Sequence, residues 1–337
     1  MGFKNIIIYL LAIFSLTVTL LPLLPFRHWL NINWDFPRIH LLLLLLFLIG
    51  ALFLTKHYTA PLQIILIFLL FIAAIYHGSK IYPYTTIAPK ESQDAKNYDP
   101  EDTISFLMAN VLISNRNAHK IRNLIASENP DVVLLVETDK WWIDEMASLE
   151  KNYPYSITYP MDNTFGISLY SKLKLVEPEI KFLIDNQIPS IHTWIEASPG
   201  RLLKFYGVHP QAPLPGFSQD NDDEVENRDL ELLLVGKDAK KQKGPVIVLG
   251  DLNDVAWSRL TSAFQKMGRL LDPRKGRGMY NTFHADYFFL RFPIDHIFHT
   301  RHFKVVKLKR LGHIDSDHFP IFAILSLEPV AGNDPTP

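Results

Sequence analysis

The sequence predicts an α/β (α+β) fold of two packed mixed sheets flanked by helices, preceded by an all-α transmembrane region. Three observations lead there. Short apolar runs of strand length recur at residues 104–109, 132–136, 166–170, 193–197, 202–208, 246–249, 294–298, 303–308 and 321–327. Helical periodicity intervenes only at residues 118–127 and 226–240, so strand and helix do not alternate regularly and a Rossmann or barrel fold is disfavoured. Residues 1–82 are overwhelmingly apolar, whereas the remainder has the composition of an ordinary soluble domain.

In the N-terminal part, residues 6–26 form an almost uninterrupted apolar run, long enough to cross a hydrocarbon core as a helix. Residues 41–54, extended by Ile39 and Thr55, and residues 62–76 form a second and a third run, with Lys56, His57 and Pro61 in the turn between them. Leu41 to Leu46 are consecutive leucines with no polar face, which suits lipid better than an amphipathic core helix. Trp29, Trp34, Tyr58, Tyr76, Tyr82 and Tyr84 flank the runs as interfacial aromatics do. A cleaved signal peptide fits poorly, because no small-residue cleavage site follows Leu24 and further apolar runs come after it. The expectation is an integral, multi-pass membrane protein with three spans in residues 1–82. Lys4 and Lys56 then share one side, and Arg27, Arg38, Lys80 and Lys90 share the other with the large domain. The excess of two positive charges leans toward a cytoplasmic domain without fixing the side.

Residues 83–100 hold three prolines, scattered charges and no periodic apolar pattern, and are expected to be a linker. Residues 101–328 form the expected globular domain, and residues 329–337 a disordered tail. In the domain, residues 118–127 place Ile121, Leu124 and Ile125 on one helical face, and Asn129-Pro130 ends that helix. Residues 226–240 turn Leu230, Leu233 and Leu234 inward on the same reasoning. The 337-residue chain carries 34 Lys and Arg against 35 Asp and Glu, a net charge of −1, so no global basic excess marks a dedicated nucleic-acid binder. With no cysteine, disulfides, zinc–thiolate sites and thiol nucleophiles are excluded.

Polar residues fall at the ends of the apolar strands. Asn110 follows residues 104–109, Glu137 follows 132–136 and His209 follows 202–208. Gly250-Asp251-Leu252-Asn253 follows 246–249, Asp295 lies in 294–298, and Ser316-Asp317-His318 comes just before 321–327. A single carboxylate after a strand is usually a solvated turn residue, and Asp251 alone could be no more than an Asx-turn. Six such placements in one domain point to catalytic groups mounted at the ends of rigid sheets.

The series resembles the endonuclease/exonuclease/phosphatase superfamily, with its pancreatic-deoxyribonuclease-like fold, over about residues 102–327. Its strongest motifs here are Gly250-Asp251-Leu252-Asn253 and Ser316-Asp317-His318. Asn110-Val111, Glu137 after Pro130-Asp131-Val132, Ser168-Leu169-Tyr170-Ser171 and Asn281-Thr282-Phe283 support it. The resemblance implies a four-layered α/β sandwich and a divalent-metal-dependent hydrolase of phosphodiesters. It implies that Glu137 holds the metal, with Asn110 and Asp317 close by. Hard oxygen ligands suit Mg²⁺, with Mn²⁺ as a substitute. Asp251 and Asn253 would face the scissile phosphate, His209 and Asn253 would donate to phosphoryl oxygens, and Asp295 would fix the ring of His318 against the phosphate. The general base is Asp251 or His318, and the ions number one or two. Two departures stand out: His296 follows Asp295 where an aromatic is common, and Pro210 restricts the backbone after His209.

The resemblance implies a phosphodiester substrate without naming it: a lipid, a nucleotide or a nucleic acid, with no obligatory protein partner evident. Arg269, Arg274, Lys275 and Arg277 form a basic stretch able to hold a polyanion, and Asp220, Asp222, Asp223 and Glu224 an acidic one that would repel it. Arg228, in the helix after the acidic loop, either pins the loop beside His209 or is an ordinary surface or salt-bridging arginine. The alternatives are a strict DNA or RNA nuclease and an inactive membrane-tethered binding module of the same fold.

Overall fold

A computed structural model describes residues 3–25, 28–55, 60–213 and 221–328 of the chain, without the side chains of residues 4 and 221–225. The N-terminal part is helical: α1 (Phe3–Leu20), the single turn α2 (Trp29–Ile32), α3 (Arg38–Phe53) and α4 (Pro61–Ile81). Two segments, Asn5–Leu23 and Pro61–Tyr84, are long and apolar enough to cross a membrane. The third expected run, α3, meets that test only together with Trp29–Asp35, from which it is bent by 73°. Phe26, Arg27, Lys56, His57, Tyr58, Asp220 and residues 329–337 lie outside the described residues.

On α3, Leu45, Leu48 and Leu52 recur at helical spacing and pack with Ala12 of α1 and Leu66, Leu70 and Ala73 of α4. Leu43, Leu46 and Phe47 stand exposed on its other side, so the helix is apolar all round. A buried polar network ties the three helices: Arg38 pairs with Asp35 and reaches Tyr76 Oη (3.2 Å), and His77 Nε2 meets Thr19 Oγ1 at 3.0 Å. In an apolar setting such groups persist only when paired, so they lock the register of the helices.

The second region begins at β1 (Thr103–Asn110), followed by α5 (Ala118–Glu128), β2 (Val132–Val136), α6 (Lys140–Met146), β3 (Tyr155–Tyr159), β4 (Ile167–Ser171) and β5 (Leu175–Phe182). Then come β6 (Pro189–Ser198), β7 (Arg201–Val208), α7 (Asn221–Lys241), β8 (Val246–Asp251), α8 (Arg259–Gly268), β9 (Asp295–His299), β10 (Phe303–Arg310) and β11 (Ile321–Leu327). The first sheet has the order β10-β11-β1-β2-β4-β3 and the second β5-β6-β7-β8-β9. Each is antiparallel except for one central parallel pair, β1–β2 in the first and β7–β8 in the second. The predicted two mixed sheets flanked by helices are therefore the architecture found.

Strand periodicity explains the layers. Phe106, Met108, Val132, Leu134, Ile247 and Leu249 face the other sheet, and every second residue faces away. Leu107, Ala109, Val133 and Leu135 pack under α5 and α6, with Ile121, Ile125 and Trp142. Val246 and Val248 pack under α7 and α8, with Leu232, Val235 and Phe264. Both faces of the central strands are buried, which is why their sequences are continuous apolar runs.

Two expectations need correction. The buried face of α7 carries Leu232, Val235 and Ala239, whereas Leu230 and Leu234 are 49% and 39% exposed, so its inward face is rotated from the expected one. Residues 83–100 are expected to be a linker, yet they lie along the domain. Ala95 N donates to Val305 O (2.9 Å), Ser92 Oγ meets His299 Nε2 (2.8 Å) and Glu91 pairs with Lys275 (2.9 Å).

Candidate active site

The two parallel pairs end side by side, and their last residues carry the candidate groups. Gly250 permits the β7–β8 approach, since a Cβ there would sit 1.9 Å from Val208 O. β1 ends on Asn110 and β2 runs into Glu137, at the same end of the first sheet. β7 runs into His209 and β8 ends on Asp251, at the same end of the second. β9 starts at Asp295, directly opposite Asp251 in the antiparallel register. Ser316 holds the remaining loop: its hydroxyl donates to Asn110 O (2.8 Å) and accepts from His318 N (3.0 Å).

These residues meet in one cluster. Asn110 Nδ2 donates to Glu137 Oε1 (2.8 Å) and to Asp251 Oδ2 (3.1 Å), bridging the two sheets. Its Oδ1 accepts from Leu112 N, so its amide nitrogen rather than its oxygen faces the carboxylates. His318 Nδ1 lies 2.8 Å from Asp295 Oδ2, and its Nε2 3.6 Å from Asp251 Oδ2. His209 Nδ1 meets Asp251 O at 3.2 Å, and its Nε2 lies 4.0 Å from Glu137 Oε1. Asn253 takes the left-handed conformation (φ 50°), which Asn tolerates well; its N–H caps Asp251 Oδ1 (2.9 Å) and its Nδ2 donates to Pro210 O (2.9 Å). Pro210 thus offers an acceptor that joins the loops after β7 and β8. The Asx-turn expected for Asp251 exists, but it uses only one carboxylate oxygen.

Asp251 and Asp295 are both 1% exposed, and like charges facing each other across a strand pair repel. The ring of His318 lies against both. Burial alone would lower the pKa of His318, but Asp295 and Asp251 outweigh it and raise it to about 10, so the ring is a cation at neutral pH. Asp251 is pushed up by burial, with His318 opposing. Asp317 is also pushed up by burial, with Glu137 and Asp251 adding to the rise. Asp295, Asp251 and Asp317 thus crowd around the single ring of His318.

That crowding, with its hard oxygen donors, fits a divalent cation. Glu137 is in the strained φ > 0 region (62°), at a cost of about 1 kcal/mol or more, and its carboxylate accepts from Asn110 Nδ2 (2.8 Å) and Ile113 N (3.1 Å). Ligand atoms of Asp251, Asp295 and His318 lie within 4.8 Å of one another, a spacing able to hold an ion and the one such group among the described residues. The Asp295–His318 hydrogen bond (2.8 Å) engages that pair, as the bonds from Asn110 Nδ2 and Ile113 N engage Glu137.

The profile of the Endonuclease/Exonuclease/phosphatase family matches residues 108–318. The chain belongs to this family. Its members are typically phosphodiesterases, nucleases or phosphatases that use divalent metals. Solved structures share the fold. The human Nocturnin catalytic domain with bound sulfate superposes with a TM-score of 0.54 at 18% identity, covering 67% of this chain and 95% of its own. D. rerio TDP2 complexed with single-strand DNA product gives 0.53 at 18%, covering 66% and 98%. The endonuclease/exonuclease/phosphatase from Beutenbergia cavernae DSM 12333 gives 0.52 at 18%, covering 68% and 73%. No curated protein matches the chain.

Among family-like motifs, Ser168 bonds Thr138 (2.9 Å) behind Glu137, Thr282 Oγ1 accepts from Asp295 N (3.3 Å), and the Phe283 ring lies 4.9 Å from that of His318. Several supporting residues were not evident from sequence. Arg274 and Asp272 form a buried pair (2.8 Å), and Arg274 also donates to Asp295 O (3.2 Å) and meets His296 Nδ1 (2.5 Å). Burial, and then the charge of Arg274, lowers the pKa of His296 to about 3, so His296 is a neutral packing group stacked on Phe298. The expected basic stretch is thus largely neutralised: Arg274 pairs with Asp272, Lys275 with Glu91 and Arg277 with Asp94. Arg228 is buried and donates to Asn253 O (3.4 Å) and Asp229 (3.0 Å), supporting the loop after β8.

Proposed function

We propose that the protein is a membrane-anchored, divalent-metal-dependent phosphoesterase that hydrolyses a phosphodiester by in-line attack of water. The observation that carries this reading is the convergence of Glu137, Asn110, His209, Asp251, Asp295 and His318 on one cleft between the sheets. Residues 1–82 are the membrane region, crossing with α1, α4 and the bent α3. Residues 101–328 are the catalytic domain, and residues 83–100 join the two.

Glu137 and Asp317, with Asn110 beside them, would hold Mg²⁺ or Mn²⁺. When bound, the ion polarises the phosphoryl group and offsets charge in the transition state. Asp251, backed by Asn110 and the Asn253 N–H, takes a proton from water as the water oxygen bonds to phosphorus. The phosphorus–oxygen bond on the opposite side breaks, and the leaving oxygen takes a proton from solvent. His318 serves as a fixed cation that donates to a phosphoryl oxygen, and Asp295 keeps it charged and oriented. This makes Asp251 the general base. His209 and Asn253 donate to the remaining oxygens.

The test is turnover of bis(p-nitrophenyl) phosphate by the full-length protein in detergent. The expected result is hydrolysis with Mg²⁺ or Mn²⁺ that EDTA abolishes and added metal restores. Turnover indifferent to EDTA would reject the metal-dependent reading, and absence of turnover would favour the binding-module alternative.

A further inference from the structure

The segments that rim the cleft are also those that touch the helical region. Asn33 Nδ2, between α2 and α3, donates to Pro213 O (3.1 Å), just beyond His209. Trp257 Nε1 donates to Asp35 O (2.7 Å), and Arg259 donates to Pro22 O (3.1 Å), both just beyond Asn253. Tyr84 Oη donates to Ala256 O (2.6 Å), and the rings of Phe36 and Phe292 meet edge to face at 5.5 Å. The contacts come from the end of α1, the start of α3 and the end of α4, which are the ends of the three helices that face the domain. The mouth of the site therefore lies beside the plane where those helices would enter a bilayer.

One rim segment goes further. Between Phe283 and Phe292, which pair as a short bridge, a loop presents Tyr287, Phe288, Phe289 and Leu290, exposed by 51%, 82%, 65% and 40%. Phe289 O bonds the ring of His40 on α3. His40, Leu43 and Phe47 lie on one stripe of that helix, and Leu43 and Phe47 are exposed, so the loop continues the apolar stripe toward the domain. Its inner end reaches the chemistry: Phe283 packs on His318 and Ala285 N donates to Asp317 O (2.7 Å). Arg291 lies over the rings of Phe288 (5.7 Å) and Phe319 (5.0 Å), and Arg310 over Phe319 (4.3 Å), beside His318. Aromatic side chains beside arginines suit the interfacial zone of an anionic bilayer.

We infer that the substrate is a phosphoester borne by a lipid, and that the loop from Tyr287 to Leu290, with Arg291 and Arg310, seats in the bilayer interface and delivers the headgroup to the cleft. This rests on the phosphoesterase reading above. Rings and arginines can also stack on single-stranded nucleic acid, but alignment with the exposed stripe of α3 favours lipid.

The experiment reconstitutes the full-length protein with Mg²⁺ in vesicles of phosphatidylcholine, phosphatidylglycerol and phosphatidylinositol. Headgroup release is compared with hydrolysis of soluble bis(p-nitrophenyl) phosphate and of a single-stranded oligonucleotide. Phe288→Asp and Phe289→Asp should each cut lipid hydrolysis by at least about tenfold, as for losing one apolar anchor, and leave the soluble diester within about twofold. Equal losses on both substrates, or none on lipid, overturn the inference. So does oligonucleotide cleavage that falls in the same variants. Turnover of the soluble diester without lipid hydrolysis overturns it alone, whereas no turnover of any substrate overturns the phosphoesterase reading with it.

Discussion

The two sheets each deliver a parallel strand pair to the cleft, yet the pairs end in different chemistry. In the first sheet, β1 and β2 end in Asn110 and Glu137, and the Glu137 side chain keeps 12% of its surface exposed. In the second, β7 and β8 end in His209 and Asp251, and β9 adds Asp295 opposite Asp251, with His318 against both carboxylates. The Asp251 and Asp295 side chains are each 1% exposed. The same strand arrangement thus leaves a partly exposed carboxylate on one side and two closed-off carboxylates around the His318 ring on the other.

The largest effect should come from breaking the closed side. Asp251→Asn and His318→Ala should each reduce kcat by at least about a hundredfold, with little change in the metal concentration needed. Glu137→Gln should do the reverse in kind, raising the half-saturating Mg²⁺ concentration by about tenfold or more with a smaller loss at saturating metal. A metal dependence that shifts equally in all three variants would erase the distinction between the sides.

A subtler effect concerns pH in metal-free protein. The pKa of His318 rises from 6.5 to about 10, so its contribution to stability is complete below about 6.5 and is lost as pH climbs toward 10. In EDTA, the thermal midpoint should fall over that interval, and Asp295→Asn should flatten the fall. An unchanged slope in Asp295→Asn would remove Asp295 as the partner that holds the proton.

Much of this was legible in the sequence because strands buried on both faces are unbroken apolar runs, as in residues 132–136 and 321–327, and the polar residue that ends each run stands out. β3 and β5 were not, because each lies at a sheet edge with half-exposed, polar sequence. The face of α7 was misjudged because its buried side includes Arg228 and Glu231, which carry no apolar signal. Long-range pairing was also invisible. Lys275 and Arg277 look like a free basic patch until Glu91 and Asp94 are brought beside them. Tyr84 looks like a membrane-interface tyrosine, but it is buried against Trp257.

The central claim is that the two sheets build a single site, and a double-mutant cycle between them tests it most directly. Glu137→Gln and Asp251→Asn, joined through Asn110, would be measured singly and together by kcat/KM on bis(p-nitrophenyl) phosphate with full-length protein. The account predicts strong non-additivity, with the double variant within about threefold of the worse single one. Losses that simply multiply would show two carboxylates acting independently and would contradict it.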